Sequence, residues 1–251
     1  MKKILSAAAS ALVLICCGCA PVETLTPSDL TLEQLEERMN QAMDPLGNYA
    51  KSKTCVIRQE VEVPQFLDEP QVFMIETKMK RPDSFRITTY SNNEPIRVVC
   101  SDGKHGWTAD YSDRKVSMLD GDRLKQMLIL SRFSNPGGGY KNIFKKVDVA
   151  KCSNEDGNFY LITAVGENGS SFKIYVDPEE FFIRRIFGEM KVGSGTLDYD
   201  SRIGSYNRRE GVMIPQTTEL TQNGQKQSSK VIFYQLDTVF PETEFLPPVL
   251  R

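Results

Sequence analysis

Residues 71–101, QVFMIETKMKRPDSFRITTYSNNEPIRVVCS, decide the fold class of this chain. Apolar and polar side chains alternate along this stretch, which is the pattern of half-buried β-strands. The alternation predicts strands over Gln71–Lys80, Ser84–Ser91 and Ile96–Ser101, and Asn92-Asn93 lies at hairpin spacing between the last two. Consecutive strands with so short a connection pair in antiparallel fashion.

The same period of two continues on both sides of this stretch. The further candidate strands are Thr54–Val63, Gly106–Tyr111, Lys115–Met118, Lys145–Cys152, Asn158–Gly166, Ser171–Val176, Ile183–Lys191, Thr196–Asn207, Val212–Gln222 and Ser229–Val239. The further hairpin signals are Asp102-Gly103, Asp156-Gly157, Asn168-Gly169 and Asn223-Gly224. Roughly a dozen candidate strands with mainly short connections predict one large antiparallel sheet of about 11–12 strands, a mainly β (α+β) fold, in a single domain over residues 28–251.

Two segments have helical spacing instead. Thr31 and Gln34 have the spacing of a capping box, and an apolar stripe follows them before Pro45 ends the helix. The stripe consists of Leu32, Leu35, Met39, Ala42 and Met43. A second helix is predicted over Asp122–Phe133, followed by a glycine-rich hinge at 135–139. This helix either belongs to the core or forms a movable lid, and the sequence leaves both open.

The chain begins with MKKILSAAASALVLICCGC, a basic start followed by an apolar run too short to span a membrane. Its end, Gly18-Cys19, resembles the lipobox of bacterial lipoproteins. The resemblance implies a signal peptide over 1–18, a lipidated tether over 19–27, and diacylglycerol plus an N-acyl group such as palmitate on Cys19. The alternative is an ordinary secretory signal that contains cysteines by chance.

Composition excludes several classes of function. The formal charge of −2 and the absence of a basic stripe argue against nucleic acid as a partner. After Cys19 the cysteines are Cys55, Cys100 and Cys152. Their wide spacing matches no metal site and favours buried free thiols, and a disulfide between two of them is the alternative. The single histidine, His105, lies beside a predicted turn. We therefore expect no catalytic residue, no metal site, and no cofactor besides the attached lipid.

The strands carry more apolar side chains than two helices can cover. Ile75 and Met79 share one face of their strand, and Phe85 and Ile87 share one face of the next. Either the sheet closes into a filled barrel, or an apolar hollow accepts a ligand.

Two motifs resemble the LolA-like outer-membrane lipoprotein-sorting family. They are KRPDSFR at Lys80–Arg86 and SDGKHGW at Ser101–Trp107. Three later segments are similar to strands of the same family, and the whole resemblance extends over roughly residues 70–240. These segments are Phe172–Asp177, Ile183–Phe187 and Gly211–Pro215.

This resemblance implies an unclosed, strongly curved half-barrel with an N-terminal helix and a lid helix over an apolar cavity for acyl chains. It implies a lid that includes Leu124–Phe133. It also implies that Arg81 keeps this lid closed through hydrogen bonds to the lid backbone. Trp107 could line the cavity or pack in the core. The residues expected to bind ligand or form the lid are Arg81, Phe85, Trp107, Leu124, Met127 and Leu128.

The predicted function is therefore non-enzymatic: a lipid-anchored protein of the outer membrane, facing the periplasm, that binds lipid or lipoprotein acyl chains in lipoprotein sorting or lipid handling. Ala20, which follows the cysteine, favours the outer membrane. Periplasmic or inner-membrane sorting components are the expected protein partners. The soluble carrier of the family has no lipid anchor, whereas this chain is predicted to have one. The alternative is therefore an envelope sensor or protein-interaction module with the same fold.

Overall fold

The computed structural model describes residues 23–65, 69–119, 121–133, 139–193 and 195–247. The predicted signal peptide, Cys19 and most of the predicted glycine-rich hinge lie outside these residues. Among the residues described, no helix is long and apolar enough to cross a membrane.

Fourteen strands and four helices are described. The helices are α1 (Leu32–Met43), α2 (Asn48–Lys51), α3 (Gly121–Phe133) and α4 (Tyr140–Ile143). The first seven strands are β1 (Thr24–Pro27), β2 (Thr54–Val63), β3 (Gln71–Lys80), β4 (Ser84–Ser91), β5 (Glu94–Ser101), β6 (Gly106–Asp110) and β7 (Lys115–Met118). The others are β8 (Lys146–Asn154), β9 (Gly157–Val165), β10 (Ser171–Val176), β11 (Ile183–Val192), β12 (Gly195–Arg209), β13 (Val212–Gln222) and β14 (Gln225–Leu236).

All fourteen strands belong to one antiparallel sheet, with the order β1-β8-β9-β10-β11-β12-β13-β14-β2-β3-β4-β5-β6-β7. Two consecutive runs, β2–β7 and β8–β14, meet where β14 pairs with β2, and Tyr234 lies opposite Ile57 at this junction. The first and last strands of the order, β1 and β7, do not pair with each other, so the sheet is not closed. The predicted mainly β, unclosed half-barrel is confirmed, with fourteen strands instead of eleven or twelve.

The extra strand at the first edge, β1, is a correction to the sequence analysis. Thr24–Pro27 was assigned to the tether, whereas its backbone pairs with β8, with Leu25 opposite Cys152. All four of its residues are exposed, so no alternation of apolar side chains marks it. The carboxylate of Glu23, just before β1, accepts hydrogen bonds from Lys173 and Tyr175 of β10.

Two of the five predicted turns have two successive residues with positive φ, the backbone geometry of tight two-residue hairpins. Asn92 and Asn93 have φ values of 51° and 66°, and Asn223 and Gly224 have 48° and 77°. Two successive residues with positive φ turn the chain in the sense that matches the twist of the flanking strands. Asparagine and glycine accept this conformation at low cost, which is why the dipeptides were informative.

Helix α1 begins with the predicted capping box. The Thr31 hydroxyl accepts a hydrogen bond from the Gln34 N–H, and the Gln34 side chain accepts one from the Thr31 N–H. Four of the five predicted stripe residues are buried, namely Leu32, Leu35, Met39 and Met43. The stripe and α4 pack on β9–β11, against a cluster that includes Tyr160, Ile162, Phe172, Ile174 and Ile186. The chain itself thus fills the part of the inner sheet face that lies under α1 and α4.

The opposite, outer face of β3–β6 is covered by the C-terminal segment, residues 237–247. Its Glu244 forms an ion pair of 2.9 Å with Lys78, and its Phe245 is buried. The Cys100 thiol donates to the Leu246 carbonyl at 3.6 Å. Cys55, Cys100 and Cys152 are all buried and free, as expected from the sequence.

We expect Leu35→Ala to lower the free energy of unfolding by about 2–5 kcal/mol, because the change leaves a cavity where α1 meets the sheet. Leu35 is fully buried, whereas Leu46 is 62% exposed, so Leu46→Ala is the control and should change stability by less than about 0.5 kcal/mol. Urea denaturation measures both. Equal effects of the two substitutions would contradict the packing described for α1.

Candidate functional site: an apolar cavity under helix α3

A cavity of about 440 Å³ lies on the inner face of the sheet, between β2–β4 and β11–β14. This volume falls within the range of roughly 300–1,000 Å³ that is typical of small-molecule sites. Met43 at the end of α1, Tyr49 of α2 and Met127 of α3 complete its wall. The aliphatic and aromatic lining from the strands includes Ile57, Val61, Ile75, Met79, Phe85, Ile87, Ile183, Ile186, Tyr199, Ile203, Tyr206, Met213, Ile214, Leu220, Val231 and Tyr234.

Strand register explains why these side chains converge. Met79 lies opposite Phe85, and Thr77 lies opposite Ile87, so alternate residues of β3 and β4 face the same side. Ile57 lies opposite both Thr77 and Tyr234, which carries the same inner face across the junction of the two runs. The cavity therefore lies over the junction, beside the cluster on which α1 and α4 pack, and Met43 at the end of α1 borders it.

Helix α3 covers part of this cavity. Leu124 is buried and packs near β6, where a Cβ added to Gly106 would lie 3.0 Å from Leu124 Cδ1. Met127, one turn further along α3, lines the cavity. Ile129 packs against the cluster under α1. The helix thus spans the inner face from β6 toward α1, with Leu124 packed beside Gly106.

Arg81 holds α2, whose Tyr49 lines the cavity. Its guanidinium donates hydrogen bonds to the carbonyl oxygens of Tyr49 and Ser52 and lies over the Tyr49 ring, 4.2 Å from the centroid. Carbonyl oxygens at the end of a helix are acceptors without helical partners, and a guanidinium supplies several donors at once. These partners belong to α2 and the residue after it, whereas the resemblance implied the backbone of the 124–133 helix.

The polar groups near α2 are held neutral by burial. Burial raises the pKa of the Cys55 thiol to about 12 and raises the pKa values of the Tyr49 and Tyr234 hydroxyls above their usual range. None of the described residues that line the cavity is an Asp, Glu, Lys, Arg or His. The site consequently offers van der Waals contact and neutral hydrogen bonds but no ion pairs.

The predicted site residues lie at different places in the structure, some in the cavity wall and one on the outer face of the sheet. Phe85 and Met127 line the cavity, and Leu124 packs beside Gly106. Leu128 is half-buried on α3. Trp107 lies opposite Cys100 on β5 and packs with Val98 and Ala109, on the outer face of the sheet. Their roles toward a ligand stay predictions.

Sequence reasoning missed most of the wall contributed by β12–β14. Tyr199, Ser201 and Ile203 alternate along β12 and all reach the cavity. Val231 and Tyr234 of β14 also reach it, because a shift of register between them brings both to the inner face. The alternation was visible and correctly indicated strands. What the pattern could not show was that β14 pairs with β2, because this pairing joins residues more than 150 positions apart.

Chemistry beyond binding has little support in the described residues. No group of three or more His, Cys, Asp or Glu side chains among them is placed to hold a metal ion. The His105 side chain is more than half exposed, and its Nδ1 atom lies 3.4 Å from Asp102 Oδ2 in a surface turn. The cavity is therefore the candidate functional site.

Comparison with known proteins gives structural likeness without sequence likeness. No protein-family model matches the chain, and no curated protein matches it either. A LolA superfamily protein from Nitrosomonas europaea has 12% identity and a TM-score of 0.58, over 86% of this chain and 97% of that chain. A DUF1329 family protein from Desulfovibrio piger has 11% identity and a TM-score of 0.58, over 86% of this chain and 96% of that chain.

A third solved structure carries the same fold. It is a putative outer membrane lipoprotein-sorting protein domain from Vibrio parahaemolyticus, with 10% identity and a TM-score of 0.55, over 84% of this chain and 97% of that chain. Together these likenesses show that the chain has a LolA-like fold. At such low identity they concern the fold alone.

We expect Arg81→Lys to destabilise the protein by about 1–3 kcal/mol, because an ammonium group cannot replace the two hydrogen bonds and the ring contact of the guanidinium. Amide hydrogen exchange over Asn48–Ser52 should accelerate in the variant. Arg97→Lys, at an exposed position of β5, is the control and should leave both quantities unchanged. Unchanged exchange in the Arg81 variant would show that α2 does not depend on this contact.

Proposed function

We propose that this protein is a lipid-anchored lipoprotein of the outer membrane that binds lipid or lipoprotein acyl chains, without chemistry, in the cavity under α3. The observation that carries the proposal is the uncharged, largely apolar cavity on the inner face of an unclosed sheet. The same proposal has three further parts. The protein faces the periplasm, it acts in lipoprotein sorting or lipid handling, and sorting components are its partners. The LolA-like fold supports it.

The physical driving force is the burial of a hydrocarbon chain. Fourteen methylene groups at about 0.8 kcal/mol each gain up to about 11 kcal/mol before the costs of ordering the chain. The wall offers branched aliphatic, methionine and aromatic side chains, and methionine adapts readily to the shape of a flexible tail. Such a site binds by apolar area, so it distinguishes poorly between chains of similar length.

Entry and release require part of the wall to move. Met127 belongs to α3, and α3 meets the sheet at Gly106 through the methyl groups of Leu124. Contacts between methyl groups are individually weak, so tilting this helix costs far less than opening the sheet ladder. We infer that α3 is the lid of the cavity.

The proposed anchor would hold the folded domain close to the membrane. Although burial opposes it, the hydrogen bonds from Lys173 and Tyr175 keep the pKa of Glu23 below its usual value, so this contact involves a carboxylate at neutral pH. Glu23 is four positions after Cys19, and at most about 3.6 Å per residue gives a reach of about 14 Å. A lipid on Cys19 would thus keep the domain at the bilayer surface.

A charge in the lid tests the cavity. We expect Met127→Asp to weaken binding of N-phenyl-1-naphthylamine, an uncharged fluorescent probe, by tenfold or more, because a carboxylate facing an apolar cavity must be desolvated. Met118→Asp is the matched control, since Met118 lies on edge strand β7, is 67% exposed and does not line the cavity. Equal binding by the wild type and both variants would remove α3 from the site.

The anchor has its own test. Cys19→Ala should move the protein from the membrane fraction to the soluble fraction and abolish incorporation of radiolabelled palmitate in growing cells, because the attached chains provide the membrane affinity. Cys17→Ala, two residues earlier, is the control and should change neither result. Continued palmitate labelling of the Cys19 variant would contradict lipidation at this residue.

A further inference from the structure

One end of the sheet carries the three most exposed large apolar side chains among the described residues. They are Val239, Met118 and Leu46, which are 93%, 67% and 62% exposed. We name this end the α2 end, because α2 lies there, between α1 and the start of β2. A single exposed apolar side chain is common on a soluble protein, whereas the collection of the three most exposed ones at one end indicates a contact surface.

Strand direction places the three residues at the same end. The Asp237 N–H, just after β14, donates to the carbonyl of Thr54 at the start of β2, and Val239 follows two residues later. Antiparallel pairing continues from β2 to β7, so β7 ends at the α2 end with Met118. Leu46 lies in the connection between α1 and α2. The three side chains thus come from three separate connections that share one end of the sheet.

The chain enters the described domain at this end as well. Because β14 ends at the α2 end, the antiparallel order means that β12, β10 and β8 also end there. Thr24, the first residue of β1, lies opposite Ser153 near the end of β8. Glu23 therefore lies at the α2 end, and Cys19 is within about 14 Å of it. A lipid on Cys19 would bring the α2 end to the bilayer and leave the opposite end away from it.

Unpaired basic groups surround the exposed apolar residues. Within the described part of the chain, five exposed basic side chains at the α2 end form no hydrogen bond or ion pair, namely Lys53, Lys80, Lys104, Arg208 and Arg209. Three exposed acidic side chains there are equally unpaired, namely Glu155, Glu179 and Asp237. The Asp44 carboxylate, by contrast, accepts hydrogen bonds from the N–H groups of Asn48 and Ala50. Basic groups consequently outnumber acidic ones among the side chains that face solvent without a partner.

Exposed apolar side chains among basic ones are suited to the surface of an anionic bilayer. The apolar side chains gain free energy by leaving water for the boundary between headgroups and acyl chains, and the basic groups are attracted to anionic headgroups. Lysine and arginine can keep their charge at the level of the headgroups while their stems lie along hydrocarbon. The tether favours a bilayer over a protein partner, because it would hold this end beside the lipid.

We propose that the α2 end is a membrane-contact surface, in which Leu46, Met118 and Val239 enter the headgroup region of an anionic bilayer and the basic side chains around them bind its headgroups. The inference rests on the anchor in the proposed function, since that anchor brings this end to the membrane. Helix α3 begins at Gly121, shortly after Met118. The proposed lid therefore starts beside the membrane contact.

A fluorescent label tests the contact. Leu46→Cys is made in the full, lipidated chain, labelled with nitrobenzoxadiazole iodoacetamide and reconstituted into vesicles of phosphatidylethanolamine and phosphatidylglycerol. Cys55, Cys100 and Cys152 are buried, so the label goes to the new thiol. Doxyl-labelled lipid should quench this label by about half or more, because position 46 reaches the acyl boundary. Val72→Cys is the matched control, since Val72 is 56% exposed at the opposite end of the sheet, and its label should keep its fluorescence.

The basic groups have a separate test. Lys53→Glu together with Arg209→Glu should reduce the quenching at position 46 by about threefold or more, because the surface then repels anionic headgroups. Lys115→Glu together with Lys226→Glu is the matched control. It makes the same change of charge at exposed positions of the opposite end and should leave the quenching unaltered.

The outcomes separate this inference from the anchor. If the protein floats with the vesicles but the labels at positions 46 and 72 are quenched equally, the anchor stands and the contact surface is wrong. If the emission of the label at position 46 shifts to shorter wavelength as the protein is concentrated in detergent without vesicles, the surface joins two copies of the chain and the bilayer inference is overturned. Protein that does not float with vesicles would overturn the anchor, and the inference with it.

Discussion

The structure depends on the backbone ladder between β14 and β2. This pairing joins two antiparallel runs into one sheet, and the sheet has too few helices to cover its inner face. An apolar face excluded from water must be buried against something, because the hydrophobic effect acts on its whole area. Helices α1 and α4 pack on the part of the face formed by β9–β11, and the part over the ladder keeps the cavity.

The two faces of the sheet are stabilised by different means. The outer face carries ion pairs such as Arg185 with Asp200, whose Nε and Oδ1 atoms are 2.7 Å apart, and the C-terminal segment shields the cluster around Cys100. By contrast, none of the described residues that line the cavity on the inner face is Asp, Glu, Lys, Arg or His. This division keeps the outer face soluble while the inner face stays suited to hydrocarbon, and the contact between Arg81 and α2 lies at the boundary between them.

Local signals in the sequence predicted local structure well. The capping box at Thr31, the asparagine and glycine turns, and the alternation along most strands each rest on residues within a few positions of one another, and the structure confirms them. Strand β1 escaped because its residues are exposed and its partners lie more than 120 positions away on β8. The hydrogen-bond partners of Arg81 differ from the expected ones for the same reason. Tyr49 and Ser52 lie about 30 positions before Arg81, so no local pattern links them to it.

The sequence by itself determined that this chain forms an antiparallel sheet with an apolar face, since side-chain alternation has the same period as the strand backbone. Phe85 and Met127, which the family resemblance implies as ligand or lid residues, line the cavity, and their contact with a ligand stays a prediction. Only the tertiary structure decided which part of the face stays open, that Trp107 lies on the other side, and that Leu46 and Val239 share one end of the sheet. The physical reason is register: the rows of side chains that form a cavity wall run across strands, perpendicular to the chain, and no pattern along the chain specifies them.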